Sequence, residues 1–222
     1  MKRTAAVALL GVVLASTRPA SAGVTPQQLA ESLQRKYDSV RDFTADFVHT
    51  YRGGVLRKQA VERGRVLIKK PGKMRWDYAE PERKQFVSDG VKVYSYLPLD
   101  SQVIVSSIAA EDAASTPALF LAGQGHLTRD FWPSLVEAPA GLAAGSLALK
   151  LVPKQAQRDY ESLILVVDPA TLDLRGLMTT DAQGGTSTLA FTHLRQNVGL
   201  ADKEFTFRIP RGVDVITDGS RS

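Results

Sequence analysis

Cysteine is absent from the 222-residue chain. That excludes a disulfide framework, a thiol nucleophile, a cysteine metal site and a lipid-modified N-terminal cysteine. Histidine is scarce. His49, His126 and His193 stand far apart, and none has a second histidine or a carboxylate at metal-ligand spacing on a helix. Each reads as a surface or strand residue. No G-x-S-x-G elbow occurs, and the glycine pairs lack the Lys-Ser/Thr of a phosphate loop. With no nucleophile, metal site or cofactor motif in view, the chain reads as a protein that is not an enzyme. Long apolar runs are missing after the first twenty residues, so nothing later approaches the ~20 residues that a membrane helix needs. A strong charge of one sign is missing too. The formal net charge is +5, and Lys2, Arg3 and Arg18 supply three of it. What remains is too weakly basic to argue for nucleic acid. The remaining basic residues gather between Arg52 and Lys84, a patch suited to acidic head groups, to an acidic partner or simply to solvent.

The first stretch is organised as an export signal. Met1-Lys2-Arg3 is cationic, Thr4 to Ser16 is apolar, and Pro19-Ala20-Ser21-Ala22 ends in a small-x-small cleavage site before Gly23. Residues 1–22 therefore read as a signal peptide and residues 23–222 as a single domain. That domain is large enough to be held by its core alone.

Thr25-Pro26-Gln27-Gln28 reads as a helix start, with threonine as cap, proline at the first helical position and Gln28 completing a capping box. Leu29, Leu33, Tyr37 and Val40 fall on one stripe of that helix. The period then changes to two. Phe43, Ala45, Phe47, His49 and Tyr51 alternate with mostly polar residues. Further strands are expected over 61–69, at Met74-Trp76-Tyr78, over 91–97, 102–106, 147–151, 162–167, 172–179 and 186–195, and at Phe205-Phe207-Ile209. Pro71-Gly72, Ser88-Asp89-Gly90, Asp168-Pro169 and 181–185 supply the turns. Ser115-Thr116-Pro117 opens a short apolar helix through Leu119, Phe120 and Leu121, stopped at Gly123. About ten strands with tight connections imply an antiparallel sheet, which at this length curls or closes.

Phe43, Phe47, Met74, Trp76, Tyr78, Tyr94 and Tyr96 crowd the first half of that sheet. Two readings stand. The residues fill a plain core, or they line an apolar cavity within a curled sheet.

Several runs stand out together. They are Lys69-Lys70-Pro71-Gly72-Lys73-Met74-Arg75-Trp76-Asp77-Tyr78, then Pro81, then Val87-Ser88-Asp89-Gly90, joined by Phe43-x-x-x-Phe47, Gln102-Val103, Thr116-Pro117-Ala118 and Phe205-x-Phe207-x-x-Pro210-x-Gly212-Val213-x-Val215. In their order along the chain they resemble the LolA family of periplasmic lipoprotein carriers. The resemblance implies a mainly β fold: an incomplete antiparallel β-barrel of about ten or eleven strands, with helices forming a lid over a hydrophobic cavity. It implies no catalysis and no cofactor. It implies transport through the periplasm of triacylated lipoproteins, taken from an ATP-driven inner-membrane transporter of the LolCDE kind and delivered to an outer-membrane receptor of the LolB kind by a monomer. The seven residues just named become the cavity wall, and Leu29, Leu33, Tyr37, Leu119, Phe120 and Leu121 the lid. The family's arginine before the motif proline, which holds the lid shut, is replaced here by Lys70. Lysine offers rotatable donors on a flexible stem where arginine offers a fixed fork, so a looser latch is expected. A carrier of another amphiphile (a glycolipid or acyl product) and a lipoprotein-sensing regulator of related fold remain as alternatives.

Overall fold

The computed structural model describes residues 23–54, 59–107, 121, 123, 125–142, 145–157 and 159–217. The expected signal peptide and most of the second expected helix, Leu119 and Phe120 included, lie outside the described residues.

The chain enters through α1 (Pro26–Ser39). Its capping box is closed in both directions: the Thr25 hydroxyl accepts from the Gln28 backbone at 3.2 Å, and the Gln28 side chain accepts from the Thr25 backbone at 3.0 Å. Two otherwise orphaned N–H groups are thereby satisfied. The helix turns Leu29, Ala30 and Leu33 into the core.

The twelve strands of the described residues belong to one sheet, in the order β12-β6-β5-β4-β3-β2-β1-β11-β10-β9-β8-β7. The first meander is β1 (Asp42–Arg52), β2 (Gln59–Lys69), β3 (Lys73–Glu80), β4 (Lys84–Asp89), β5 (Lys92–Leu97) and β6 (Gln102–Ser107). The short helix α2 (Leu127–Asp130) leads into the second: β7 (Phe131–Val136), β8 (Leu147–Pro153), β9 (Ser162–Val167), β10 (Leu174–Thr180) and β11 (Thr186–Gln196). Antiparallel pairing of β1 with β11 joins the two meanders. A final strand, β12 (Asp214–Thr217), lies parallel to β6.

Several expectations change. Among the described residues there are twelve strands, one or two more than expected, and one pair is parallel. Strand β7 is unexpected because Pro133 lies in its middle; proline is tolerated there because β7 is an edge of the sheet. Phe205, Phe207 and Ile209 form no strand. Residues 202–205 make a 3-10 turn, and the chain then crosses the sheet unpaired. The apolar alternation is real, but it buries Phe205 against a sheet face instead of building a ladder.

The inner face carries the core. Phe43, Phe47, Val66, Ile68, Met74 and Trp76 from the first meander meet Leu149, Leu151, Leu163, Leu165 and Leu177 from the second, with Leu29 and Leu33 of α1 above them. The sheet is open yet strongly curled. Val93 on β5 and Leu177 on β10 line one cavity although five strands separate them. Flat strands spaced ~4.8 Å apart would hold those two more than 25 Å apart.

Candidate functional site

Among the described residues, two cavities lie on the inner face. The first is a seam of only ≈ 40 Å³ under α1, lined by Leu33, Tyr37, Val40 and Phe43 on one side and by Leu165, Val167, Leu174 and Leu194 on the other. Leu121 and Leu127 close it. The second is a groove of ≈ 350 Å³ between the two meanders, lined by Met74, Trp76, Tyr78, Phe86, Val93, Leu177 and Leu189, with His49, Thr179 and Ser187 as its polar members. Edge-to-face aromatic contacts stiffen the wall between them. Phe47 meets Trp76 at 5.2 Å and Tyr78 at 4.9 Å, and Tyr78 meets Phe86 at 5.6 Å.

Gly64 makes this wall possible. It sits opposite Phe47 on one neighbour and Tyr78 on the other. A Cβ at Gly64 would stand 2.7 Å from the Phe47 ring and 2.2 Å from the Asp77 carbonyl oxygen. The aromatic ring occupies the space that any larger residue would need.

The helix over the seam is fastened by polar ties as well as by its apolar face. The Lys70 ammonium donates to the Tyr37 carbonyl and sits 3.3 Å from the centroid of the Tyr37 ring. The Tyr37 hydroxyl donates to the Leu121 carbonyl. Lys36 pairs with Asp173 at 3.1 Å, and Gln34 accepts from the Leu127 backbone at 2.8 Å. Burial holds the Lys70 ammonium at a pKa of about 8, opposed by the Asp38 carboxylate, and pushes the Tyr37 phenol up. The stem of Lys70 lies where a Cβ at Gly123 would go, 2.8 Å from its Cδ. Leu29, Leu33, Tyr37, Leu121 and Lys70 thus converge on one closure.

Of the seven expected cavity residues, Phe43 lines the seam, Met74, Trp76 and Tyr78 line the groove, and Phe47 sits in the wall between. Tyr94 and Tyr96 are a correction. Register places them on the outer face, opposite Val105 and Val103, where both pack on Phe207 with ring centroids 5.4 and 6.0 Å away. Val93, one residue earlier, is the groove residue of that strand. A strand has a side-chain period of two, so parity alone decides which set faces the cavity.

The basic stretch from Arg52 to Lys84 is divided by the same parity. Lys70 and Lys84 turn to the inner face. Lys69 and Lys73 pair with Asp202 at 2.6 and 3.1 Å, and Arg75 pairs with Asp77 at 2.8 Å, all on the outer face. Sequence reading also missed a polar network at the groove's rim. His49 Nε2 is 2.8 Å from Ser187 Oγ, His49 Nδ1 is 3.3 Å from Glu62, and Lys84 reaches Glu62 at 2.5 Å. The one early signal is the pairing of β1 with β2, which sets His49 opposite Glu62.

The sequence profile of the family described as outer membrane lipoprotein carrier protein LolA matches residues 38–208. An outer-membrane lipoprotein carrier protein of Methylococcus capsulatus is 32% identical over 197 residues, covering 89% of this chain and 90% of that one. A protein of the same name from Chromohalobacter salexigens is 35% identical, covering 86% and 87%. Among solved structures, an uncharacterized conserved protein from Thermus thermophilus superposes with a TM-score of 0.51 at 15% identity, over 86% of this chain and 98% of that one, a likeness of fold alone. With a curled sheet, an apolar groove and a helix tied down over the seam beside it, and with relatives matching along almost their whole length, this chain is a member of the LolA family.

Proposed function

We propose that the protein is a periplasmic carrier that shields the acyl chains of lipoproteins, taking them up as they leave the inner membrane and giving them to a receptor at the outer membrane. The observation that carries this reading is the inner face itself: an apolar groove, continued by a closed seam under a helix that polar contacts tie down. An acyl chain gains ~0.8 kcal/mol per methylene on leaving water, so a groove of this chemistry is an acyl site by default. The groove lies near the lower end of the ~300–1,000 Å³ range of pockets for drug-sized ligands. Several long chains need more, and the volume is available only if α1 lifts and the seam joins the groove. Release of the Lys70 contact to Tyr37 is then the loading step. The same site gives no support to a catalytic role. An inner-membrane ATP-driven transporter as donor and a lipoprotein receptor as acceptor complete the proposal.

The test is to incubate the purified chain, lacking residues 1–22, with spheroplasts of a Gram-negative cell and to recover it from the soluble fraction. Triacylated lipoproteins in a one-to-one complex are the expected result. Folded protein that emerges without lipoprotein would overturn the reading. A different lipid found on it by mass spectrometry would identify a carrier of another amphiphile.

A further inference from the structure

Trp76 and Tyr78 are two residues apart on β3 and both line the groove. The indole N–H of Trp76 is buried and has no acceptor among the described residues. A buried donor left unmade is unfavourable, so it calls for a partner. The Tyr78 hydroxyl is also unspent as a donor, because of the way His49 is held. Glu62 lies 3.3 Å from His49 Nδ1. A carboxylate only accepts, so the imidazole proton belongs on Nδ1, and Nε2 accepts from the Ser187 hydroxyl at 2.8 Å. Tyr78, 3.4 Å from that same Nδ1, then faces a nitrogen that already carries its proton. Its oxygen can share the His49 N–H, while its own O–H proton is left for another acceptor. Burial and the neighbouring Glu62 push the phenol up, so it keeps that proton. Lys84, over the Tyr78 ring at 4.5 Å, is engaged by Glu62.

Two groove-lining residues of one strand face, ~7 Å apart along the strand, therefore each carry a donor that no acceptor takes up among the described residues, beside Met74, Phe86, Val93, Leu177 and Leu189. A bare hydrocarbon would leave both unmet. We propose that Trp76 Nε1 and the Tyr78 hydroxyl form a subsite for the carbonyl oxygens of ester or amide linkages at the root of acyl chains. The subsite rests on the acyl-carrier reading above and adds polarity and orientation to it. The carbonyl end of the ligand stops beside Tyr78 and the His49–Glu62–Lys84 rim, and the chains run inward past Met74. The indole nitrogen is closed off from the surface, so its acceptor has to arrive with a ligand that parts the wall.

Monopalmitin and hexadecyl glyceryl ether share head and chain length and differ by the carbonyl, which makes them the probes. Binding to the folded chain, followed by tryptophan fluorescence, should favour the ester about fivefold or more, the worth of one hydrogen bond. Tyr78→Phe should lower ester affinity by about fivefold and leave ether affinity unchanged. The Trp76 indole proton should move downfield in the NMR spectrum with the ester and not with the ether, a reading that needs no variant. Equal affinity of the wild-type chain for the two probes, with no indole shift, would overturn the subsite and leave the carrier reading standing. Parallel losses for both probes in Tyr78→Phe would also overturn it. If neither probe binds, the acyl reading of the groove falls and the subsite with it.

Discussion

Lys70 holds Tyr37 twice, through the carbonyl that accepts from its ammonium and through the ring on which that ammonium rests. One flexible side chain from the turn after β2 therefore fixes the last turn of α1. A lysine can do this and still lose its charge, which an arginine cannot.

That difference makes closure depend on pH. Burial in the closed form lowers the Lys70 pKa to about 8. An open form with Lys70 in water has the ordinary lysine value of ~10.4. Between the two values the open form holds more protons, so closure gains as pH rises through about 8 and gains no more above the ordinary value. Below about 8 both forms are charged and closure is flat with pH. Because the chain has no cysteine, two engineered ones can carry spin labels on α1 and β2 cleanly. The label distance should shorten between pH 7 and pH 9 in the wild-type chain and stay constant in Lys70→Arg. In transfer assays at neutral pH, Lys70→Arg should also release cargo more slowly and raise the melting temperature. An unchanged release rate would show that Lys70 is not the latch.

Gly123 has a φ of +88° and packs on the stem of Lys70. Gly123→Ala meets a backbone penalty of ~1 kcal/mol in that region and pushes Lys70 off Tyr37. Expected are a loss of ~1–2 kcal/mol by denaturant titration and faster release. In a Lys70→Ala background the same change should be milder, because the displaced stem is gone. A double-mutant cycle reads that coupling.

Gly64→Ala tests the aromatic wall. The added methyl would fall inside contact distance of both the Phe47 ring and the Asp77 carbonyl. Strand propensity alone favours alanine over glycine, yet the substitution should destabilise by ~1–3 kcal/mol through overpacking. Near-ultraviolet circular dichroism should show the rearranged rings. A neutral or stabilising result would mean that β2 and β3 can part without disturbing Phe47.

Asp42, only 5% exposed, gathers three consecutive backbone N–H groups, those of Val198, Gly199 and Leu200, at 2.7–3.2 Å. These fasten the segment that goes on to cover the outer face with Phe205 and Phe207. Asp42→Ala should remove ~2–3 kcal/mol, and Asp42→Asn about half of that. Hydrogen exchange at 198–200 should accelerate, whereas the Lys70-dependent lid distance should not change.

Much of this architecture is legible in the sequence because local rules and tertiary demands agree. The Thr25–Gln28 box marks a helix start, alternation marks β1 and β3, and a continuous apolar run marks β9. Pro133 points the wrong way, since a proline excludes only a central strand and nothing local says that β7 is an edge. Phe205 and Phe207 alternate like a strand because they sit on a sheet face, which shares the same period. Tyr94 and Tyr96 resemble Trp76 and Tyr78 in every local respect. Only the register across β4, with Tyr94 opposite Val87 and Ser88 opposite Val93, sends them outward. The His49–Ser187 contact spans 138 positions and is invisible to any window-based reading.

The junction of β1 with β11 has a kinetic consequence. Each meander consists of neighbours in sequence and can zip locally, but the sheet becomes one body only when β1 finds β11 across more than a hundred residues. Loop-closure entropy makes that the slow, high-contact-order event. Until it happens, two eleven-residue strands present open edges of alternating apolar residues, the kind of template on which chains aggregate. Sequence changes along this seam should therefore appear first as lost folding yield, in chains that hold cargo normally once they have folded.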